Sequence, residues 1–127
     1  MSHSALMATL ILAPLFGFFI NGFRYKKHSA NTAGILATCM AAVSFICSLL
    51  LVVDLVSMPA EGRQIAVQFF QWMSIANLKV NMGFVVDPIS AIMILVVTGV
   101  GSLIHLFSIG YMHHDSGAAK YFAYLNL

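Results

Sequence analysis

The segment from Asp87 to Tyr111 constrains this chain more than any other, because after Asp87 it contains no lysine, arginine, aspartate or glutamate. As an α-helix it would be roughly 37 Å long at about 1.5 Å per residue, whereas the hydrocarbon core of a bilayer is about 30 Å thick. The segment therefore predicts a membrane-spanning helix over residues 87–111. Every other element has to be arranged beside such a helix.

The two residues that open this segment are typical of a helix start. The Asp87 carboxylate can accept hydrogen bonds from the free N–H groups of the first turn, and Pro88 suits the first helical position, where no N–H is needed. We predict that both residues cap the helix. The alternative role for Asp87 is a charge in a proton exit route.

Small and polar residues recur on one side of the predicted helix. The helix-packing candidates are Thr98, Gly101 and Ser102, in line with His105. Small side chains let helix backbones approach closely, and hydroxyls find partners on neighbouring helices. This side is therefore predicted to face other helices rather than lipid.

The composition of the whole chain agrees with a membrane location. Hydrophobic residues make up 61% of the chain and charged residues 8%, whereas charged residues make up about 25% of an average soluble domain. An integral membrane protein surrounded by lipid is predicted. The net charge of +2 and the lack of a basic patch with interleaved aromatics argue against nucleic acid as a partner.

Two apolar segments precede the central helix. Residues 5–23 lack ionisable side chains, and basic residues follow this segment rather than precede it. The segment therefore predicts a retained first membrane helix rather than a signal peptide. A kink is expected at Pro14. Residues 33–53 predict a second helix, capped by residues 31–32 and ended by Asp54. Both cysteines lie in this second helix, about 12 Å apart along its axis, so they cannot form a disulfide with each other.

The distribution of basic residues predicts the orientation in the membrane. Cytoplasmic loops carry an excess of lysine and arginine. One side of the predicted bundle would carry Arg24, Lys26, Lys27 and Lys120, and the other side Arg63 and Lys79. The N-terminus is therefore predicted to lie outside, and residues 64–86 form the outer segment.

The outer segment predicts a β-hairpin between the second and third helices. Residues 66–73 are rich in β-forming side chains, residues 74–77 can turn, and residues 78–84 alternate between apolar and polar. An isolated hairpin is marginally stable in water, so its apolar face is expected to lie on neighbouring protein or at the lipid interface.

Residues 112–120 predict an inner loop, and residues 120–127 the start of a fourth helix. As a helix, the seven residues 121–127 cover only about 10 Å, roughly a third of a bilayer. A second polypeptide that completes the fourth helix, or a water-filled cavity, is expected beside this segment.

Several short motifs in the second half of the chain resemble one family. They are Asp87-Pro88 with Ser90, the TGVGSLIH segment 98–105, the SIGYM segment 108–112 and the YFAYLN segment 121–126. Together they resemble the N-terminal part of the antiporter-like subunit L of proton-pumping NADH:quinone oxidoreductase, respiratory complex I. Residues 1–86 agree with that family in layout, with two helices followed by an outer hairpin.

The resemblance implies a fold, a location and partners. Members of the family are multi-pass helix bundles of the bacterial inner membrane that carry protons, driven by quinone reduction elsewhere in the complex. NADH, FMN, iron–sulfur clusters and quinone are expected in other subunits, with no cofactor in this chain. Other membrane-arm subunits are the expected partners, and the outer hairpin would tie neighbouring antiporter-like subunits together. The family's essential glutamate and lysines lie downstream of the matched region.

The candidate for direct chemistry is His105, because imidazole changes charge near neutral pH and proton paths through a bilayer need titratable groups at membrane depth. The alternative is a neutral imidazole hydrogen-bonded to a neighbouring helix. His113, His114 and Asp115 are adjacent in a loop. Adjacent residues in a loop rarely point at the same ion, so no metal site is predicted. No nucleophile and base pair is present in the sequence, so no catalytic residue is assigned.

The sequence thus predicts a single membrane domain over residues 1–127, with an all-α multi-pass bundle and an extracytoplasmic β-hairpin. Its predicted task is mainly structural within a proton-translocating complex. One alternative is the large subunit of a multi-subunit cation/proton antiporter, which a sodium requirement would favour. Another is a structural membrane protein without a transport role.

Overall fold

A computed structural model describes residues 2–24, 26–27 and 29–127 of the chain. Its elements, in chain order, are α1 (His3–Phe23), α2 (Ala30–Ser57), β1 (Ile65–Ile75), β2 (Leu78–Val86), α3 (Pro88–Tyr111) and α4 (Ala118–Asn126). Helices α1, α2 and α3 are long and apolar enough to cross a membrane. The predicted combination of apolar membrane helices with a two-stranded antiparallel hairpin is confirmed.

Helix α2 is longer at both ends than the sequence predicts. Its N-cap is Ser29, whose hydroxyl accepts a hydrogen bond from the Thr32 backbone N–H at 3.3 Å, so the predicted caps at residues 31–32 are wrong. Asp54 lies inside the helix rather than ending it, and its carboxylate lies 3.4 Å from Nε2 of His3 on α1. Because Asp54 is half exposed, its charge stays in contact with water and the helix continues to Ser57.

Two clusters of buried side chains mark the two ends of the bundle. At the hairpin end, Leu6, Leu51 and Leu55 pack with the hairpin base at Ile65 and Val86. At the opposite end, the buried side chains belong to Ala33, Ala37, Ala118, Ala119 and Phe122, which join α2 to α4. We call this second end the loop end. The hairpin-end cluster thus joins α1, α2 and α3, and the loop-end cluster joins α2, α3 and α4, with polar side chains between the clusters.

The hairpin packs on the helices only at its base. Strand β1 pairs with β2 from Ile65 opposite Val86 to Ile75 opposite Leu78. The register shifts twice, so Phe69 and Trp72 have no paired residue opposite them. Such bulges increase twist and redirect side chains. Most of the hairpin's aromatic and aliphatic side chains remain exposed, including Trp72 at 64%.

Gly83 on β2 lies so close to β1 that a side chain does not fit. A Cβ atom there would be 2.6 Å from the Val67 carbonyl oxygen, a backbone atom. We expect Gly83→Ala to destabilise the hairpin by about 1 kcal/mol, because the exposed strands can relieve part of the overlap by shifting. Amide hydrogen exchange across residues 65–86 would measure the loss, and unchanged protection would contradict the expectation.

Candidate functional site around His105

Asp87 and Pro88 begin α3 at the hairpin end. Ser90 donates to the Asp87 carboxylate from its backbone N–H at 2.7 Å and from its hydroxyl at 2.6 Å, and the Asp87 N–H donates to the Ser90 hydroxyl at 2.8 Å. This reciprocal pair satisfies donors that the helix itself leaves free. The hydrogen bond from the Ser90 hydroxyl, with that from its backbone N–H, holds the pKa of the Asp87 carboxyl below its usual value.

The lowered pKa gives the first turn of α3 a pH dependence. A carboxyl whose pKa is depressed by folding stabilises the folded state above its ordinary pKa of about 3.9, and this contribution is lost as the pH falls through the lowered value. We expect the protection of the Ser90 amide against hydrogen exchange, corrected for the intrinsic rate, to decline below about pH 4. The Asp87→Asn variant keeps a hydrogen-bond acceptor but cannot titrate, so the protection of its Ser90 amide should not decline in this pH range. Parallel curves for both proteins would contradict the prediction.

The three helix-packing candidates occupy different environments. The Thr98 hydroxyl lies 2.9 Å from the Ser48 hydroxyl on α2 and so joins the two helices. The Ser102 hydroxyl donates to the Thr98 carbonyl within α3. At Gly101 an added Cβ would meet no atom within 4 Å in the described part of the chain. Among the three, the structure therefore gives an inter-helix hydrogen bond to Thr98.

Pro14 leaves one carbonyl of α1 free, and a serine on α2 binds it. Proline has no N–H, so the carbonyl four residues earlier, that of Leu10, loses its helical donor. The Ser44 hydroxyl on α2 donates to that carbonyl at 2.8 Å. Ser44 is 2% exposed, so water does not compete for this hydrogen bond. A polar contact between α1 and α2 thus lies near the middle of the bundle.

His105 is buried on α3 and is anchored through one ring nitrogen. Its Nδ1 lies 2.7 Å from the Gly101 carbonyl oxygen of the same helix. A carbonyl only accepts hydrogen bonds, so Nδ1 carries the hydrogen and Nε2 of the neutral ring holds the lone pair. Nε2 has no hydrogen-bond partner among the described residues, even though His105 is buried, with only 6% of its surface exposed. The free nitrogen is therefore the atom at which the ring can gain a proton.

His105 on α3 and Asn126 on α4 both line one cavity. The cavity has a volume of about 220 Å³ and is bordered by all four helices. Its lining residues are Pro14, Ala41, Ser44, Val97, Thr98, Gly101, His105, Leu125, Asn126 and Leu127. The Asn126 side chain is 4% exposed, and neither its oxygen nor its nitrogen has a partner in residues 2–24, 26–27 and 29–127. Gly17 on α1 leaves the room for it, because a Cβ there would be 2.5 Å from the Asn126 nitrogen.

The loop between α3 and α4 has a local structural role. The rings of His113 and His114 stack at 4.9 Å, and the Asp115 carboxylate accepts the Gly117 N–H at 2.7 Å. Tyr121 then joins α4 to α3 through its hydroxyl, 3.0 Å from that of Ser108. These contacts fix the direction in which α4 enters the bundle and hence the position of Asn126.

The sequence predicts His105 as a candidate site residue, and it does not predict the contacts of Ser44 and Asn126. Pro14 does give a signal for Ser44, because a proline inside a helix frees the carbonyl four residues earlier. Asn126 is a polar residue in an otherwise apolar segment, which is a signal for a buried partner. Which residues meet at the cavity depends on how α1 and α4 pack, and the sequence pattern does not contain that information.

A family model matches part of the second half of this chain. Residues 72–122 match the family model described as NADH-Ubiquinone oxidoreductase (complex I), chain 5 N-terminus. The resemblance to complex I subunit L is confirmed. The matched region runs from the hairpin through α3 into α4, and it includes Asp87, Thr98 and His105.

Relatives of the same name match nearly the whole chain. NADH-quinone oxidoreductase subunit L of Rickettsia typhi is 32% identical over 127 residues, which are 100% of this chain and 19% of the relative. Subunit L of Pseudomonas aeruginosa is 33% identical, covering 96% of this chain and 20% of the relative. Subunit L of Escherichia coli is 32% identical with the same coverage of both chains. The chain thus spans about a fifth of the length of the curated relatives it matches.

Proposed function

We propose that this chain is part of the membrane arm of a proton-translocating NADH:quinone oxidoreductase, located in a bacterial inner membrane. The observation that carries the proposal is that the whole of this chain matches about a fifth of a subunit L relative, together with three helices able to span a bilayer. In this proposal the segment contributes mainly to packing of the bundle. NADH oxidation and quinone reduction, with their FMN and iron–sulfur clusters, belong to other subunits.

The proposed orientation places the N-terminus and the hairpin outside. Arg24, Lys26, Lys27 and Lys120 lie at the loop end of the bundle, whereas Arg63 and Lys79 lie at the hairpin end. The richer end is assigned to the cytoplasm because positive charge is retained there during insertion. The exposed hairpin would then face the space outside the inner membrane.

The proposed partners cover surfaces that this chain leaves exposed. The hairpin carries exposed Phe70, Trp72 and Leu78, which would dock on neighbouring antiporter-like subunits. Helix α3 also exposes a row of large apolar side chains, which suits lipid or further helices of the arm.

Within this function we propose that His105 accepts and releases a proton. Because Nδ1 is held by the Gly101 carbonyl, the proton would enter and leave through Nε2, on the side of the cavity. Proton addition at Nε2 converts the neutral ring to imidazolium, with hydrogen on both nitrogens. His105 would therefore serve as a site where a proton is held rather than as a relay through both ring nitrogens.

Purification of the intact membrane complex through this chain tests the assignment. Mass spectrometry should identify subunits that oxidise NADH and subunits that bind quinone. The purified complex should show NADH:quinone oxidoreductase activity. Isolation with cation-antiporter subunits and a sodium requirement, or as a complex without either activity, would contradict the proposal.

A further inference from the structure

Ser48 on α2 contacts α3 at a point two helical turns from His105. The Ser48 hydroxyl oxygen lies 2.9 Å from that of Thr98, and Ser48 is fully buried. His105 follows Thr98 by about two turns of an α-helix, so the two side chains share one side of α3. The contact with Ser48 therefore acts on the side of α3 that carries His105.

The hydrogen bond that holds the His105 ring does not orient the ring relative to the other helices. This bond joins Nδ1 to the Gly101 carbonyl at 2.7 Å, within α3 itself. If α3 rotated about its axis, the bond would turn with the helix and the ring would point elsewhere in the bundle. The direction of Nε2 therefore depends on the contacts that fix the rotation of α3.

The two hydroxyls can keep their contact without leaving a buried group unpaired. The Ser48 oxygen also lies 2.7 Å from the Phe45 carbonyl oxygen, and the Thr98 oxygen 2.7 Å from the Ile94 carbonyl oxygen. Each hydroxyl has one hydrogen, so two hydrogens serve three contacts. When one hydroxyl donates to the other, the carbonyl that it leaves keeps the N–H donor of its own helix. The bond between the helices thus persists whichever hydroxyl donates.

Apolar packing beside this pair sets the distance between α2 and α3. The Phe45 ring lies against Gly99, where an added Cβ would be 3.0 Å from a ring carbon. In a membrane, lipid tails can replace the apolar contacts of a helix, but they cannot replace a hydrogen bond. The directional contact between Ser48 and Thr98 therefore resists rotation of α3 in a way that the apolar packing does not.

We infer that Ser48 is a positioning residue that orients His105 through Thr98. The hydroxyl pair fixes the rotation of α3, and the rotation of α3 fixes the direction in which the buried imidazole points. The effect of Ser48 on proton movement rests on the proposed function of His105. The orientation of the ring does not rest on it and can be measured by itself.

Labelling with diethyl pyrocarbonate in native membranes measures the orientation. This reagent acylates a neutral imidazole at a ring nitrogen that it can reach, and peptide mass spectrometry gives the rate at each histidine. His105 is buried, so its reaction requires α3 to turn from its packed position. Loss of the hydroxyl pair should raise the rate at His105 about threefold, the factor that a hydrogen bond between membrane helices is worth. His114, which is exposed in the loop after α3, gives the reference rate in the same protein.

Four variants separate positioning from a general loss of stability. Ser48→Ala and Thr98→Val each remove one hydroxyl, so we expect the same rise from each and no further rise in the double variant. Thr98→Ser keeps the hydroxyl and should leave the rate near that of the unmodified protein. Ser102→Ala is the matched control, because Ser102 is closer to His105 along the chain but its hydroxyl bonds within α3. Unchanged labelling in Ser48→Ala and Thr98→Val, or an equal rise in Ser102→Ala, would overturn the positioning role.

The number of protons moved per NADH distinguishes this inference from the proposed function. If both hold, Thr98→Val should lower the count and Thr98→Ser should leave it normal. A normal count in His105→Gln, with labelling that still rises in Thr98→Val, would remove the proposed role of His105 and leave the positioning by Ser48 intact. Labelling that does not respond to loss of the hydroxyl pair would remove the positioning whatever the proton count.

Discussion

Replacing Gly34 by leucine is expected to lower the free energy of unfolding by about 3 kcal/mol, the largest effect predicted for a single substitution in this chain. A Cβ at Gly34 would lie 2.9 Å from Ile109 Cγ1 and 3.0 Å from two ring carbons of Phe122. Phe122 is 0% exposed, so its ring cannot move without displacing the side chains that cover it. The larger side chain would therefore push α4 away from α2.

Gly22→Leu is the matched control for this prediction. Gly22 lies on α1 with no atom within 4 Å of an added Cβ among the described residues. Leucine has a higher helix propensity than glycine, so this change should be neutral or slightly stabilising. Unfolding of the full protein in detergent, followed by circular dichroism, measures both variants. Equal stabilities for Gly34→Leu and Gly22→Leu would show that the α2–α4 contact is not tight.

The second large effect is expected at Ser44. Ser44→Ala leaves the Leu10 carbonyl without a donor at a buried position, because Pro14 supplies no N–H. An unpaired buried carbonyl costs about 2 kcal/mol. In a Pro14→Ala background residue 14 regains its N–H and can bond the Leu10 carbonyl within α1. The same Ser44→Ala change should then cost less than about 0.5 kcal/mol, giving a clear interaction energy between the two sites.

Ser102→Ala is the control for the serine substitution. The Ser102 hydroxyl donates to the Thr98 carbonyl within α3, a carbonyl that also has its ordinary helical donor. Loss of the Ser102 hydroxyl should therefore change stability little. If Ser44→Ala is equally destabilising with and without Pro14, the hydrogen bond does not compensate for the proline.

The start of α3 could be predicted from sequence because its determinants are local. An aspartate before a proline, with a serine three residues after the aspartate, specifies the cap by short-range hydrogen bonds. The ends of α2 were predicted less well, since Ser29 competes with two nearby residues as the cap. The sequence predicts that Asp54 ends the helix, whereas in the structure a contact with His3 on another helix accommodates Asp54 within α2. Local rules do not include such tertiary contacts.

The residues that line the cavity could also be predicted only in part from the sequence. The recurrence of small and polar residues predicts that His105 shares one side of α3 with Thr98 and Gly101, because helical periodicity fixes which residues share a face. It did not predict that Nδ1 bonds to the ring's own helix, or that Asn126 faces the same space. Both depend on side-chain rotamers and on the packing of α4 against Gly17.

The most direct test of the central claim is the number of protons moved per NADH oxidised, measured in membrane vesicles that contain the intact complex with His105→Gln. Glutamine retains hydrogen-bonding groups but cannot take up a proton at neutral pH. The matched control is His114→Gln, the same substitution at an exposed position in the loop after α3. We expect a lower proton count per NADH for His105→Gln and a normal count for His114→Gln. Equal, normal counts for both variants would contradict a role for His105 in proton translocation.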